Sequence, residues 1–146
     1  MVQRKPDSLE KKKMAKVGGY YRAAVLTPGS PIALNTNFNA SSVAMTLDGG
    51  QSFGGHLGSA FVYLNTVAGG ATKLTLKLTR DAAGDEAVVT STQGDIEAGV
   101  TTAADGSLAI KIDIPWVFGD GTALYPFFKL DAGTANMVSC IVCWRE

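Results

Sequence analysis

The chain has 146 residues and a mass of 15.2 kDa, a length that fits one domain with a single core. Hydrophobic residues make up 46% of it and charged residues 18%, which excludes an intrinsically disordered chain. No apolar run approaches the roughly 20 residues that a membrane helix needs, and no apolar segment follows the basic N-terminus as in a signal peptide. We therefore expect no membrane partner and synthesis in a reducing, cytoplasm-like compartment.

The formal net charge is zero, but the charges are unevenly distributed. Residues 1–22 contain seven Lys and Arg and two acids, a net charge of +5, and the remaining chain has six bases and eleven acids, a net charge of −5. We expect residues 1–19 to form an extended basic arm and residues 20–146 to form the folded domain. The candidate partner-binding residues of the arm are its cations: Arg4, Lys5, Lys11, Lys12, Lys13 and Lys16.

A basic arm can bind nucleic acid through phosphate contacts. Against this, no aromatic residue precedes Tyr20, the positive charge is modest and the domain is acidic. Binding to an acidic protein surface, or simple exposure to solvent, explains the basic residues of the arm at least as well. We therefore do not predict nucleic acid as a partner.

After residue 19 the hydrophobic period is mostly two, which indicates β-strands. In "TKLTLKLTR" the leucines at 74, 76 and 78 point to one side, and Lys and Thr at 73, 75, 77 and 79 to the other. "SLAIKIDI" (107–114) repeats the alternation, which is typical of antiparallel strands with one face in water. The predicted strands are residues 20–26, 41–47, 59–65, 72–80, 86–92, 107–114, 123–131 and 136–145.

Turn sequences separate these strands, among them "DAAGDE" (81–86), "AADGS" (103–107) and "GDGT" (119–122). No helical pattern of useful length follows residue 20. About eight strands with this spacing predict an all-β fold: an antiparallel β-sandwich, jelly-roll-like, with an extended N-terminal arm.

The last predicted strand contains a C-x-x-C pattern, Cys140 to Cys143. A period of two gives this strand two apolar faces: Val138, Cys140, Val142 and Trp144 on one, and Met137, Ser139, Ile141, Cys143 and Arg145 on the other. In a strand the two cysteine Cα atoms would lie roughly 10 Å apart, beyond the reach of a disulfide, and a zinc site lacks further ligands. We expect two free, buried cysteines, and we expect both faces to be covered, by the second sheet and by the arm or a neighbouring subunit.

The sequence offers few residues for catalysis. His56 is the only histidine and lies in "DGGQSFGGHLGS", a predicted glycine-rich loop, and no nucleophile-elbow motif is present. Asp81, Asp85 and Glu86 surround a turn that could hold calcium, but acids in hairpin turns are ordinary and we favour the turn alone. We predict no catalytic residue, no metal, no cofactor and no enzymatic activity.

The stretch "IPWVFGDGTALYPFF" (114–128) is unusually apolar for a segment beside a loop. Trp116, Phe118 and Tyr125 within it are a candidate contact surface, and they could also line a sugar-binding face. Most aromatic residues here fall at alternating positions, where the core could claim them.

The Thr/Ala/Gly-rich strands, "KLTLKLTRDAAGD", and the "LDAGTAN" turn before an apolar last strand resemble the small jelly-roll cement, or head-decoration, proteins of tailed bacteriophages. The resemblance covers residues 20–146. It implies a non-enzymatic protein on the capsid surface of the virion, made in the host cytoplasm, whose partners are the major capsid protein and itself, as a homodimer or homotrimer. The arm would then reach neighbouring capsid subunits, and from its charge alone we expect their surface to be acidic.

Two other functions stay open. A small coat protein would use the arm "QRKPDSLEKKKMAK" to contact the packaged genome. A carbohydrate-binding module would use Trp116, Tyr125 and their neighbours. Salt-sensitive nucleic acid binding that depends on residues 1–16 would favour the first, and glycan binding that is lost in Trp116→Ala would favour the second.

Overall fold

The computed structural model describes residues 21–39, 54–114, 117–119 and 124–145. In these ranges the chain forms two antiparallel sheets, which confirms the predicted all-β sandwich. The described part has no helix that could cross a membrane. Its nine strands are β1 (Tyr21–Leu26), β2 (Ile32–Leu34), β3 (Gly54–Ala68), β4 (Lys73–Thr79), β5 (Ala87–Asp95), β6 (Leu108–Asp113), β7 (Val117–Gly119), β8 (Tyr125–Leu130) and β9 (Thr134–Arg145).

The strand order is that of a jelly roll. The large sheet has the order β1-β9-β3-β6, with β2 pairing with β9 and β7 pairing with β3, and the small sheet has the order β5-β4-β8. The chain passes from one sheet to the other between β3 and β4, between β5 and β6, between β7 and β8, and between β8 and β9, and the first and last described strands are neighbours. Two sheets linked by such crossings enclose one core between their inner faces.

The core consists of the inward side chains of both sheets. The predicted alternation is confirmed on β4, where all three leucines are fully buried, and on β6, where the inward isoleucines are buried and Leu108 is half-buried. The inward side of β3 contributes Ala60, Val62 and Leu64, and β8 contributes Phe128 and Leu130. Burial of each large apolar side chain contributes about 1.5–3 kcal/mol.

Part of the outer face of β4 is covered, which corrects the predicted wet face at Thr75 and Thr79, while Lys73 is exposed as predicted. Thr75 and Thr79 are buried. The 81–86 turn folds back over the small sheet, where Thr79 Oγ1 donates to Asp81 O at 2.7 Å and Lys77 Nζ donates to Gly84 O at 3.0 Å. Lys77 Nζ also lies 4.4 Å from the ring centroid of Phe38, whose segment runs along β8.

Strand β9 contains a bulge that corrects its predicted faces. Tyr63 of β3 pairs with Ser139 and Leu64 pairs with Met137, so Val138 is an extra residue in β9. Because the extra residue shifts the alternation by one position, Met137 is buried on the same side as Cys140. The predicted separation of these two side chains on opposite faces is therefore wrong.

Strand β3 is longer than predicted and includes His56, which the sequence places in a loop. Its first residues find backbone partners on both sides, since His56 pairs with Val117 of β7 and with Arg145 of β9. Neither β7 nor β2 was among the predicted strands; both are three residues long. The predicted strand 41–47 and the boundary between arm and domain at 19 and 20 lie outside the described residues.

Asp131 joins the end of β8 to the start of β4. Its Oδ1 accepts hydrogen bonds from the backbone N–H groups of Thr72 at 2.8 Å and Lys73 at 2.9 Å, and its Oδ2 accepts one from the Thr72 hydroxyl. The Thr72 hydroxyl and the two N–H groups lower the pKa of this carboxyl from 3.8 to about 2. All these bonds favour the charged form.

We expect Asp131→Ala to lower the free energy of unfolding by about 1–2 kcal/mol at neutral pH, a range already reduced for the exposure of this carboxylate to solvent. Because the folded-state pKa lies below the ordinary value, the contribution is complete above about pH 4 and is lost as the pH falls toward about 2. Urea unfolding at pH 7 and pH 3 measures the difference. Asp95→Ala, which removes only the exposed 3.3 Å ion pair with Lys73, is the matched control and should cost less than about 0.5 kcal/mol; equal losses in both variants would contradict the role of Asp131.

Candidate interaction surface

In the acidic turn 81–86, the carboxylate of Asp81 accepts hydrogen bonds from the backbone of the turn itself. Asp81 accepts hydrogen bonds from the N–H groups of Glu86 at 2.8 Å and Asp85 at 3.1 Å. Both bonds lower the pKa of the Asp81 carboxyl, and the bond from Glu86 has the larger effect. This geometry confirms the predicted turn, in which the Asp81 carboxylate accepts backbone N–H groups. Over the described ranges, no three His, Cys, Asp or Glu side chains are grouped to hold a metal ion.

The two cysteines are free, as predicted, but only one of them lies in the core. Cys140 is fully buried, and burial, followed by the nearby Cys143, raises the pKa of its thiol to about 12. Cys143 is half-buried on the opposite face of β9, so the prediction that both are core residues is wrong for it. A neutral, buried thiol is a poor nucleophile.

We expect iodoacetamide to alkylate Cys143 in the folded protein and to leave Cys140 unmodified until urea unfolds the chain. Peptide mass spectrometry after timed labelling at pH 8 distinguishes the two sites. The Cys140 rate should be at least about a hundredfold lower, since a thiol with a pKa of about 12 forms almost no thiolate at that pH. Comparable rates at both cysteines in the folded state would contradict the burial of Cys140.

The outer face of the large sheet has an apolar centre. Here Ile141 of β9 pairs with Val25 of β1 on one side and with Phe61 of β3 on the other. Tyr63, two residues beyond Phe61, lies on the same face, and so does Cys143, two residues beyond Ile141. We call these five residues, Val25, Phe61, Tyr63, Ile141 and Cys143, the outer strip. Their inward neighbours Leu26, Val62, Cys140 and Val142 are buried, which fixes the direction of the strip away from the core.

The outer strip is accessible to a partner. Val25 is 64% exposed, and the other four side chains are half-buried. Neighbouring cross-strand side chains lie about 4.5–5.5 Å apart, so Val25, Ile141 and Phe61 form a continuous apolar surface. Contiguous apolar surface of this kind on a soluble domain marks an interaction site more often than isolated exposed residues do.

Charged side chains border the outer strip on β6. Lys111 pairs with Phe61, and Asp113 pairs with Ser59, so both side chains point to the outer face. Lys111 Nζ lies 3.6 Å from Asp113 Oδ1, and the two side chains are 60% and 82% exposed. The border therefore carries one charge of each sign and no net charge.

The sequence-predicted contact residues are distributed over several parts of the chain. The six arm cations and Trp116 lie outside the described residues. Phe118 belongs to β7 in the large sheet and Tyr125 to β8 in the small sheet, so these two are not on neighbouring strands. The sequence did not identify Val25, Phe61 or Tyr63; the signal it did contain was the apolar character of both faces of β9.

No protein-family model matches the chain, and a search of curated proteins found no match. Among solved structures, the chain is similar to a chain in the structure of the infectious bursal disease virus Gx strain, with a TM-score of 0.36 and 13% identity over 86% of this chain. A chain from the Gt strain gives a TM-score of 0.34 and 10% identity. The chain spans about a third of the length of each of these viral chains, 32% and 33%. The likeness is too low to argue a function.

Proposed function

We propose that the protein is a non-enzymatic structural protein of a virion, a cement or decoration protein that bridges major capsid subunits and stabilises the head. The observation that carries the proposal is the outer strip, an apolar sheet face that lies outside the core of the sandwich and is partly exposed in the described residues. The sequence resemblance to phage head-decoration proteins supports the same function. The protein would work on the capsid surface after synthesis in the host cytoplasm.

Three of the described side chains that could take part in chemistry have structural roles instead. The carboxylates of Asp81 and Asp131 accept backbone hydrogen bonds, and the Cys140 thiol is buried between the sheets. A bridging protein needs a rigid body and surfaces for two partners. The sandwich supplies the rigid body and the outer strip supplies one surface.

The basic arm would supply the second surface, toward the major capsid protein. Its net charge of +5 over residues 1–22 would attract an acidic capsid surface. A segment that becomes ordered on binding loses conformational entropy, but it spreads its contacts over a large area. The arm cations Lys11, Lys12 and Lys13 are the residues we expect to contribute most to salt-dependent binding.

The test is binding of the purified chain to particles assembled from the major capsid protein of the same virus. We expect saturable co-sedimentation at a fixed ratio to capsid subunits, weakened at least tenfold when residues 1–19 are deleted. Lys11, Lys12 and Lys13 replaced together by Ser form the matched variant of unchanged length, and its binding should weaken with less dependence on salt. If the full chain, the deletion variant and the triple Lys variant all co-sediment equally with the particles, the role of the arm is contradicted. If none of the three co-sediments, the proposed function is contradicted.

A further inference from the structure

The outer face of the large sheet is suited to contact a copy of itself. We propose that two copies of the chain associate face to face through the outer strip, with Val25, Ile141 and Phe61 of each copy packed against the outer strip of the second copy. This inference deepens the self-association in the proposed function and rests on that part of it.

The register of three neighbouring strands brings the apolar side chains of the outer strip together. Because Val25, Ile141 and Phe61 are cross-strand partners, they form one row across β1, β9 and β3. Among the side chains that the structure describes, Val25 is the only large hydrophobic one that is exposed, at 64%. Two antiparallel sheet faces pack at about 10 Å with their side chains interdigitated, so a second copy would remove this row from water.

The two charged residues that border the outer strip, Lys111 and Asp113, favour a second copy of the chain over a partner whose charges are all of one sign. In a two-fold contact, residue i of one copy meets residue j of the other, and j meets i. Lys111 can therefore face Asp113 of the second copy, and this pairing occurs twice. A partner with charge of one sign would be attracted by one of these two residues and repelled by the other, whereas a second copy is attracted by both.

The dimensions of the strip set the expected affinity. Four strands about 4.8 Å apart and five residues at about 3.3 Å each give a face of roughly 300 Å² per copy. That is less than half of the about 800 Å² per partner in a standard stable interface. We therefore expect a concentration-dependent dimer with a Kd of about 10–500 μM, which the high local concentration on a capsid would populate.

The first test is sedimentation of the full chain from about 5 μM to 1 mM. We expect dimerisation that weakens at least tenfold in Val25→Glu, since the contact would then bury a glutamate from each copy against apolar side chains. Because Val25 is already exposed, the substitution should leave folding intact. Ala87→Glu, an exposed strand position on β5 of the small sheet, is the matched control and should dimerise as the unaltered chain does.

A charge exchange distinguishes a second copy from other partners. Lys111→Glu and Asp113→Lys should each weaken dimerisation about threefold or more, because each places like charges opposite one another. The double variant restores opposite charges at both positions and should return to within about twofold of the unaltered chain. Urea unfolding of all three variants controls for changes in the folded state.

Alkylation of Cys143 gives a second readout at the same surface. In the full chain its rate should fall as protein concentration rises, while the rate in Val25→Glu should stay constant. A chain that is monomeric at 1 mM with a constant rate would overturn the inference, and so would a Val25→Glu variant that dimerises normally. If the chain is monomeric and deletion of residues 1–19 makes alkylation of Cys143 faster, the arm covers the outer strip. That result would also overturn the inference.

Particle binding separates this inference from the proposed function. A chain that dimerises through the outer strip but does not bind particles would support the contact and contradict the capsid function. A chain that stays monomeric at every concentration yet binds particles would support the function and overturn the contact.

Discussion

Gly133→Ala should prevent folding or lower the free energy of unfolding by about 4 kcal/mol or more. Gly133 has a φ of +70°, and a Cβ added there would lie 2.0 Å from Ala68 O and 2.9 Å from Gly69 Cα. The turn after β3 and the turn before β9 therefore pack backbone against backbone. Since neither contact involves a flexible side chain, relief requires one of the two turns to move.

Gly70→Ala is the matched control for Gly133→Ala. Gly70 has a φ of +80°, but a Cβ added there would meet no atom within 4 Å. Its substitution should cost only the left-handed backbone strain, about 1–2 kcal/mol. Urea unfolding of both variants separates strain from steric overlap, and losses within about 1 kcal/mol of each other would contradict the close approach of the two turns.

Phe128→Ala should lower the free energy of unfolding by about 3–5 kcal/mol, since it removes a large side chain from the centre of the core. Phe128 has no exposed surface and lies on β8 beside Leu76 of β4. Its backbone exchanges hydrogen bonds with Asn39: the Phe128 N–H donates to Asn39 Oδ1 at 2.7 Å, and Asn39 N donates to Phe128 O at 3.2 Å. The substitution leaves these bonds available, so the loss measures packing.

Tyr125→Ala is the control for Phe128→Ala, and it tests whether the loss of stability depends on where along β8 the aromatic side chain is removed. Tyr125 is half-buried and lies at the start of the same strand. We expect it to cost less than about 2 kcal/mol, with unfolding by urea as the measurement. A Tyr125 variant as destabilised as the Phe128 variant would mean that the core does not centre on Phe128.

The sequence was sufficient for the fold class wherever alternation was strict. Leu74, Leu76 and Leu78 on β4 are buried as predicted, because a period of two has one consistent solution in a two-layer fold. The burial of Thr75 and Thr79 was not predictable from the same pattern, since it depends on contacts outside β4. Gln93 Nε2 of β5 donates to Thr75 Oγ1, and Thr79 Oγ1 donates to Asp81 O in the 81–86 turn. Threonine also suits both wet and buried strand positions.

The candidate surface was only partly predictable, for two physical reasons. The apolar outer side of β9 was visible in the alternation, but its phase changes at the bulge at Val138, which depends on pairing with β3. Val25 and Phe61 belong to strands distant in sequence, and only the sheet order β1-β9-β3 places them beside Ile141. A surface assembled from three strands has no local sequence signal.

The most direct test of the central claim is the thermal stability of capsid particles with and without the protein. Particles from the same virus, assembled without this chain, are saturated with it and heated while light scattering records their disruption. The account predicts that disruption shifts upward by several degrees at saturation and that the chain lacking residues 1–19 gives less protection at the same concentration. Particles that bind the full chain to saturation and still disrupt at the unaltered temperature would contradict a cement function.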